Sequence, residues 1–184
     1  MSTRNRLNFT LQLSTAEILR LRDEYVADTS EMEKESKAFA AGKRISMGDF
    51  SRANLMAIVH WKSSRPIQLV EENRDDEIND ALRLAIGAKS PRAAIAVLCG
   101  LSGVGVPMAS AILTVIDPER FTVIDIRALE TLGVFKPLPT IDDYLQYLDF
   151  CRGTARERRV ALRHLDQALW QKSKDAARTL SPDR

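Results

Sequence analysis

The residues best placed to do chemistry lie in the middle of the chain. One feature is a tight glycine turn, Gly103-Val104-Gly105, followed by Pro107 at the predicted start of a helix. The other is Asp125, a carboxylate in an apolar setting eighteen positions after Pro107. A glycine turn that leads into a helix can present backbone N–H groups to an anion. A fixed carboxylate can stabilise positive charge or activate water.

Each feature also has a purely structural interpretation. Glycine permits positive φ angles, so Gly103 and Gly105 are at home in an ordinary turn between two helices, with Val104 tucked between those helices. Asp125 is a favourable N-cap for the predicted helix that follows it. The cap and a catalytic role are compatible, because a helix N-terminus also keeps a carboxylate ionised.

The glycine turn belongs to a longer pattern. Leu101, Gly103-Val104-Gly105, Ala109 and Leu113 follow the order L-x-G-V-G-x-x-x-A-x-x-x-L, which resembles the helix-hairpin-helix motif. With Asp125 added, the 36 residues from Leu98 to Gly133 resemble the helix-hairpin-helix (HhH-GPD) DNA glycosylase superfamily, the group similar to endonuclease III and alkyladenine glycosylase.

The resemblance implies an all-α, two-lobed fold and double-stranded DNA as the partner. It also implies that the turn 103–107 binds a DNA phosphate beside the damaged base. The residues of this turn are Gly103, Val104, Gly105, Val106 and Pro107. In some relatives, main-chain oxygens at the positions of Cys99, Leu101 and Val104 also hold a monovalent cation. Asp125 becomes the catalytic residue, stabilising positive charge on the sugar while water cleaves the N-glycosidic bond in base excision repair.

The chain departs from this family pattern at three places. Pro107 occupies the position at which strand-cleaving members carry a lysine, and its nitrogen cannot form a Schiff base. This favours either a monofunctional glycosylase that uses water or a binding protein with no chemistry. The four cysteines of an iron–sulfur cluster are missing, so no such cofactor is expected. Arg127 stands where the family has His or Asn, which bears on substrate recognition.

A base flipped out of the DNA stack needs an apolar or aromatic pocket. The candidates are Trp61 with its neighbour Lys62, together with Tyr144, Tyr147 and Trp170. All of these aromatic residues lie at helical spacing among Leu or Ile, which is also typical of ordinary core residues. Lys62 could equally be a cation near the C-terminus of a helix.

Composition excludes several classes of protein. With 45% hydrophobic and 28% charged residues, the 184-residue chain is typical of a globular protein. No apolar run is long enough for a membrane span, and the N-terminus lacks signal-peptide features. We therefore expect a cytoplasmic protein, associated with the nucleoid when bound to DNA.

The sequence contains few residues that could bind a metal ion or act as a thiol nucleophile. Two cysteines, Cys99 and Cys151, and two histidines, His60 and His164, offer no zinc-site or protease pattern. The net charge of +2 does not require a nucleic-acid partner. Eight Arg and Lys residues between 152 and 178 leave room for phosphate contacts, although a solvated helix face explains them as well.

Helix signals dominate the rest of the chain and predict nine or ten helices. Capping boxes are predicted at Ser14 with Glu17, Thr140 with Asp143, and Thr154 with Glu157. Another start is predicted at Ser30 with Glu33, for a helix that stops at Gly42. Only residues 120–126 look strand-like.

We expect residues 48–133 to form a six-helix lobe that carries the hairpin and Asp125. Residues 1–47 and 134–184 would form a second, discontinuous lobe, with the site in the cleft between the two. Two alternatives remain: a non-catalytic DNA- or partner-binding module that keeps this fold, and a purely structural helical protein. The oligomeric state is not fixed by the sequence, and a monomer is favoured.

Overall fold

The computed structural model describes residues 6–180, with side chains to Thr179, and this part of the chain is all-α, as predicted. It forms ten helices and no β-strand. The helices are α1 (Thr15–Ala27), α2 (Thr29–Ser46), α3 (Arg52–Lys62), α4 (Ile67–Glu71), α5 (Asp75–Gly87), α6 (Pro91–Leu98), α7 (Val106–Ile116), α8 (Ile126–Thr131), α9 (Ile141–Arg158) and α10 (Leu162–Leu180). The strand-like segment becomes a turn and an unpaired stretch, 121–125, before α8.

Two of the predicted capping boxes are confirmed. At the start of α1, the Ser14 N–H donates to Glu17 at 2.8 Å, and the Glu17 N–H donates back to the Ser14 hydroxyl at 3.3 Å. At the start of α9, Thr140 and Asp143 make the same reciprocal pair at 2.7 and 3.2 Å. Each box satisfies backbone N–H groups that the helix itself cannot bond.

Two predicted starts are wrong. The N-cap of α2 is Asp28, whose carboxylate accepts the N–H of Glu31 at 3.3 Å, so the helix begins before Ser30 can cap it. Thr154 and Glu157 lie inside α9, which continues to Arg158 and ends at Arg159 in the left-handed conformation. A capping sequence predicts a start only where the preceding residues are not already helical.

The predicted stop at Gly42 is also wrong, and packing explains why. Gly42 is buried inside α2, and a Cβ added there would lie 2.2 Å from the carbonyl oxygen of Val115 in α7. Glycine is present so that the two helix backbones can approach each other closely, rather than to end the helix.

The chain divides into two compact units. Asp28–Val123 forms the middle unit, with α2 to α7. Its core includes Ile45, Leu55, Ile58, Leu82, Ile95, Leu98 and Ile112. Helix α7 is almost entirely enclosed, since every residue from Met108 to Val115 is buried. Its helix neighbours in this unit are α2, α3 and α6.

The terminal unit combines Met1–Ala27 with Ile124–Arg184. Helices α1, α8 and α9 all pack on α10. The core of this unit includes Ile18, Leu21, Tyr144, Tyr147, Leu165 and Leu169. These boundaries differ from the predicted lobes of 48–133 and of 1–47 with 134–184: α2 belongs to the middle unit, and Asp125 belongs to the terminal one. No helix of the described chain is long and apolar enough to cross a membrane.

Candidate functional site

The hairpin consists of α6, a short turn and α7. Helix α6 ends at Leu98, and the backbone turns at Gly103, whose φ is +76°. Helix α7 begins at Val106, with Gly105 as its N-cap at an ordinary φ of −86°. Positive φ makes glycine the natural residue at 103, whereas the backbone at 105 is open to other residues.

The apolar members of the hairpin pattern hold this turn in place. Leu101, Val104, Ala109 and Leu113 are all buried, as the pattern predicts. Ala109 has no exposed surface, and Val104 is only 4% exposed. The turn therefore rests on the core of the middle unit while its glycine tip remains at the surface.

The tip presents unbonded N–H groups. Within residues 6–180, no carbonyl or side chain accepts the N–H of Gly105 or Val106, and the first bond that closes α7 runs from Ala109 to the Gly105 carbonyl at 2.9 Å. Gly105 is exposed, and the nearest atom to a Cβ added there would be the Pro107 ring at 3.9 Å. This is the positive end of an eleven-residue helix, so the arrangement favours an anion.

Three carbonyl oxygens of the turn, those of Cys99, Leu101 and Val104, are the ones that the family resemblance assigns to a monovalent cation. The Leu101 carbonyl accepts the Val104 N–H at 3.2 Å, which leaves a second lone pair. The carbonyls of Cys99 and Val104 accept no hydrogen bond from the described residues. Neutral carbonyl oxygens are hard ligands suited to a monovalent or hard divalent ion.

Asp125 lies in the terminal unit as the N-cap of α8. Its Oδ1 accepts the Ala128 N–H at 2.9 Å, so the predicted cap is confirmed. The residue is half-buried. Burial raises the pKa of Tyr147 well above its ordinary value, and electrostatic interactions with Cys151, Asp166 and Asp125 raise it further. Asp125 is thus one of the smaller causes that keep this buried phenol protonated.

Arg127, two residues after Asp125, packs on the ring of Trp170. Its guanidinium lies 5.5 Å from the ring centroid of Trp170, and the Lys174 ammonium lies 4.7 Å from it. Tyr25 meets the same ring edge-on at 5.4 Å. Trp170 is half-buried, and the charged groups of Arg127 and Lys174 both contact its ring.

The predicted base-pocket residues fall into both units. Trp61 and Lys62 end α3 in the middle unit, where Trp61 packs edge-on against Phe39 at 6.2 Å. Tyr144 and Trp170 are in the terminal unit. Tyr144 and Tyr147 have no exposed surface, as their helical spacing among Leu and Ile also allowed.

The cysteines are poor nucleophiles. Burial raises the pKa of the Cys99 thiol, and the Cys151 thiol, which is buried beside Tyr147, has a pKa raised further by the same cause. No group of three or more His, Cys, Asp or Glu side chains suited to a metal occurs among the residues that the structure describes.

Asn73 contacts the hairpin from the junction between α4 and α5, and no sequence pattern marks it as a functional residue. It lies in a run rich in acidic residues, 71–80, yet it is only 6% exposed. Its side chain bonds the backbone of Ser102, 29 positions away. A partner that distant leaves no local sequence signal.

Comparison with protein-family models, with curated proteins and with solved structures found no match to this chain.

Proposed function

We propose that this protein binds double-stranded DNA through the turn 103–107 and acts as a monofunctional DNA glycosylase with Asp125 as its catalytic residue. One observation carries the proposal: the exposed turn offers the N–H groups of Gly105 and Val106 at the start of α7, without internal acceptors. A DNA phosphate oxygen is the anion that suits them.

The proposed chemistry is hydrolysis of one C–N bond. The bond between the sugar C1′ and the base nitrogen breaks, and its electron pair leaves with the base. Positive charge that develops on the sugar is stabilised by the Asp125 carboxylate, and a water oxygen then bonds C1′. That water gives up one proton, which the departing base takes up directly or through Asp125.

Two features of the turn bear on this reaction. Pro107 has no free amine, so the turn provides no Schiff base and no strand cleavage through one. The carbonyls of Cys99, Leu101 and Val104 would hold a monovalent cation, which would add positive charge next to the bound phosphate.

A non-catalytic DNA-binding module is the second candidate. It is favoured by the bond from Ala128 to Asp125, because a carboxylate engaged as a cap needs no catalytic role to explain its presence. Both candidates share the DNA-binding turn, so binding is tested first.

The test compares Gly105→Leu with Gly87→Leu. Both glycines are exposed, neither has a positive φ, and a Cβ at either position meets no close neighbour. A leucine at 105 would stand in front of the two N–H groups, whereas residue 87 ends α5 away from the turn. Affinity for a short fluorescent duplex is measured by anisotropy between about 50 and 200 mM salt.

We expect wild-type affinity to fall steeply with salt. Gly105→Leu should weaken binding by about tenfold or more, since charge-assisted hydrogen bonds are lost. Gly87→Leu should bind as the wild type does, and both variants should keep the wild-type melting temperature within a few degrees. Absence of wild-type binding at low salt, or equal affinity of both variants, contradicts the proposal.

A further inference from the structure

The side-chain amide of Asn73 forms hydrogen bonds with the backbone of the hairpin. Its Oδ1 accepts the Ser102 N–H at 2.8 Å, and its Nδ2 donates to the Ser102 carbonyl at 3.0 Å. The same Nδ2 also donates to the Val70 carbonyl at 2.9 Å, in α4. The amide thus bonds both backbone polar groups of one residue in the turn and also bonds α4, the helix that precedes it.

Arg52, at the start of α3, holds the backbone that carries Asn73. Its guanidinium donates to the carbonyl of Asn73 and, at 3.1 Å, to that of Glu71. Its Nε bonds the Asp75 carboxylate at 2.7 Å. One side chain therefore spans the junction between α4 and α5 and fixes it relative to α3.

Gly103, the next residue after Ser102, sits against α4. A Cβ added there would be 2.9 Å from atoms of Leu69 and of Val70 and 3.0 Å from the Pro66 carbonyl. The backbone at 102 and 103 is therefore held on two sides, by the Asn73 bonds and by close packing. The unbonded N–H groups of Gly105 and Val106 follow two and three residues later.

We infer that Asn73 is a positioning residue for DNA binding: it fixes the turn so that the N–H groups of Gly105 and Val106 meet a phosphate, with Arg52 holding Asn73 in place. This rests on the proposed function. A turn already ordered in the free protein loses less conformational entropy when DNA binds, so the Asn73 bonds increase affinity without touching DNA.

The experiment measures duplex affinity and its salt dependence for Asn73→Asp and Arg52→Lys. Aspartate keeps the acceptor for the Ser102 N–H but cannot donate to the Ser102 and Val70 carbonyls. Lysine keeps the charge but cannot reproduce the forked contacts of arginine. The matched controls are Asn79→Asp and Arg83→Lys, which change exposed residues of α5. Melting curves establish that each variant is folded at the assay temperature.

Positioning predicts that both test variants, while folded, bind about tenfold more weakly than their controls and that the slope of log affinity against log salt falls by about one. A purely structural role would lower the melting temperature and leave the affinity and the salt slope of the folded protein unchanged. That result would overturn the inference while leaving wild-type DNA binding intact.

Hydrogen exchange on the unmodified protein gives a second readout that needs no variant. The Ser102 amide should exchange far more slowly than the Gly105 amide, because only the former is bonded. Equal exchange of the two amides would overturn the inference. If the wild type binds no duplex at low salt, the proposed function fails and the positioning role falls with it.

Discussion

At the scale of single residues, Asp125 combines a structural contact with the charge that the proposed chemistry needs. Its Oδ1 caps α8 through the Ala128 N–H. Asparagine offers an equivalent oxygen and is as good an N-cap, whereas alanine is not. Substitution by Asn and by Ala therefore separates the cap from the charge.

Asp125→Ala should lower the free energy of unfolding by about 1 kcal/mol, and Asp125→Asn by clearly less. Urea denaturation of both variants alongside the wild type measures the difference. Equal losses would mean that the charge of Asp125, rather than its capping oxygen, stabilises the helix.

The contribution of Asp143 to the stability of the folded protein should depend on pH. Burial opposes its ionisation, but hydrogen bonds from Lys136 and Thr140 outweigh burial and lower its pKa. A lowered pKa in the folded state stabilises the protein above the unfolded value of about 3.9, and this contribution is lost as pH falls through the folded pKa. The stability advantage of the wild type over Asp143→Asn should therefore shrink below about pH 4. An advantage that is constant from pH 7 to pH 3 would contradict this assignment.

At the scale of helices, the sequence predicted what local contacts determine. The boxes at Ser14 and Thr140 were found because both partners lie within one turn of helix. The predicted stop at Gly42 failed because the reason for that glycine is Val115, on a helix far along the chain. Glycine in a sequence signals either a turn or a close approach, and only the packing partner distinguishes the two.

Two glycine substitutions test this distinction. Gly42→Ala should destabilise the protein by about 1–3 kcal/mol or more, because its Cβ would overlap the backbone of α7. Gly153→Ala, inside α9 with no atom within 4 Å of the added Cβ, should be neutral or stabilising by about 0.5–1 kcal/mol. Thermal or urea unfolding compares them. Similar effects from the two changes would show that α2 and α7 are not in close contact.

At the scale of the whole molecule, the sequence predicted an all-α fold with a continuous middle segment and a discontinuous remainder. The structure divides the chain at 28 and 123 rather than at 48 and 133. Helix α2 joins the middle unit through contacts with α3 and α7, which no local pattern reveals. The hairpin was visible in the sequence because its residues are contiguous, whereas Asn73 was not, because its partner is distant.

Release of a base from DNA tests the proposed catalytic role of the Asp125 carboxylate. Wild-type protein, Asp125→Asn and the exposed control Asp149→Asn are incubated with duplexes that each carry one damaged or modified base, and free base and abasic sites are quantified. We expect the wild type and Asp149→Asn to release at least one base without strand cleavage. Asp125→Asn should bind the same duplex but release that base on the order of 10²–10³-fold more slowly. Release from no duplex by the wild type, or equal release by Asp125→Asn, would contradict the proposed role of Asp125.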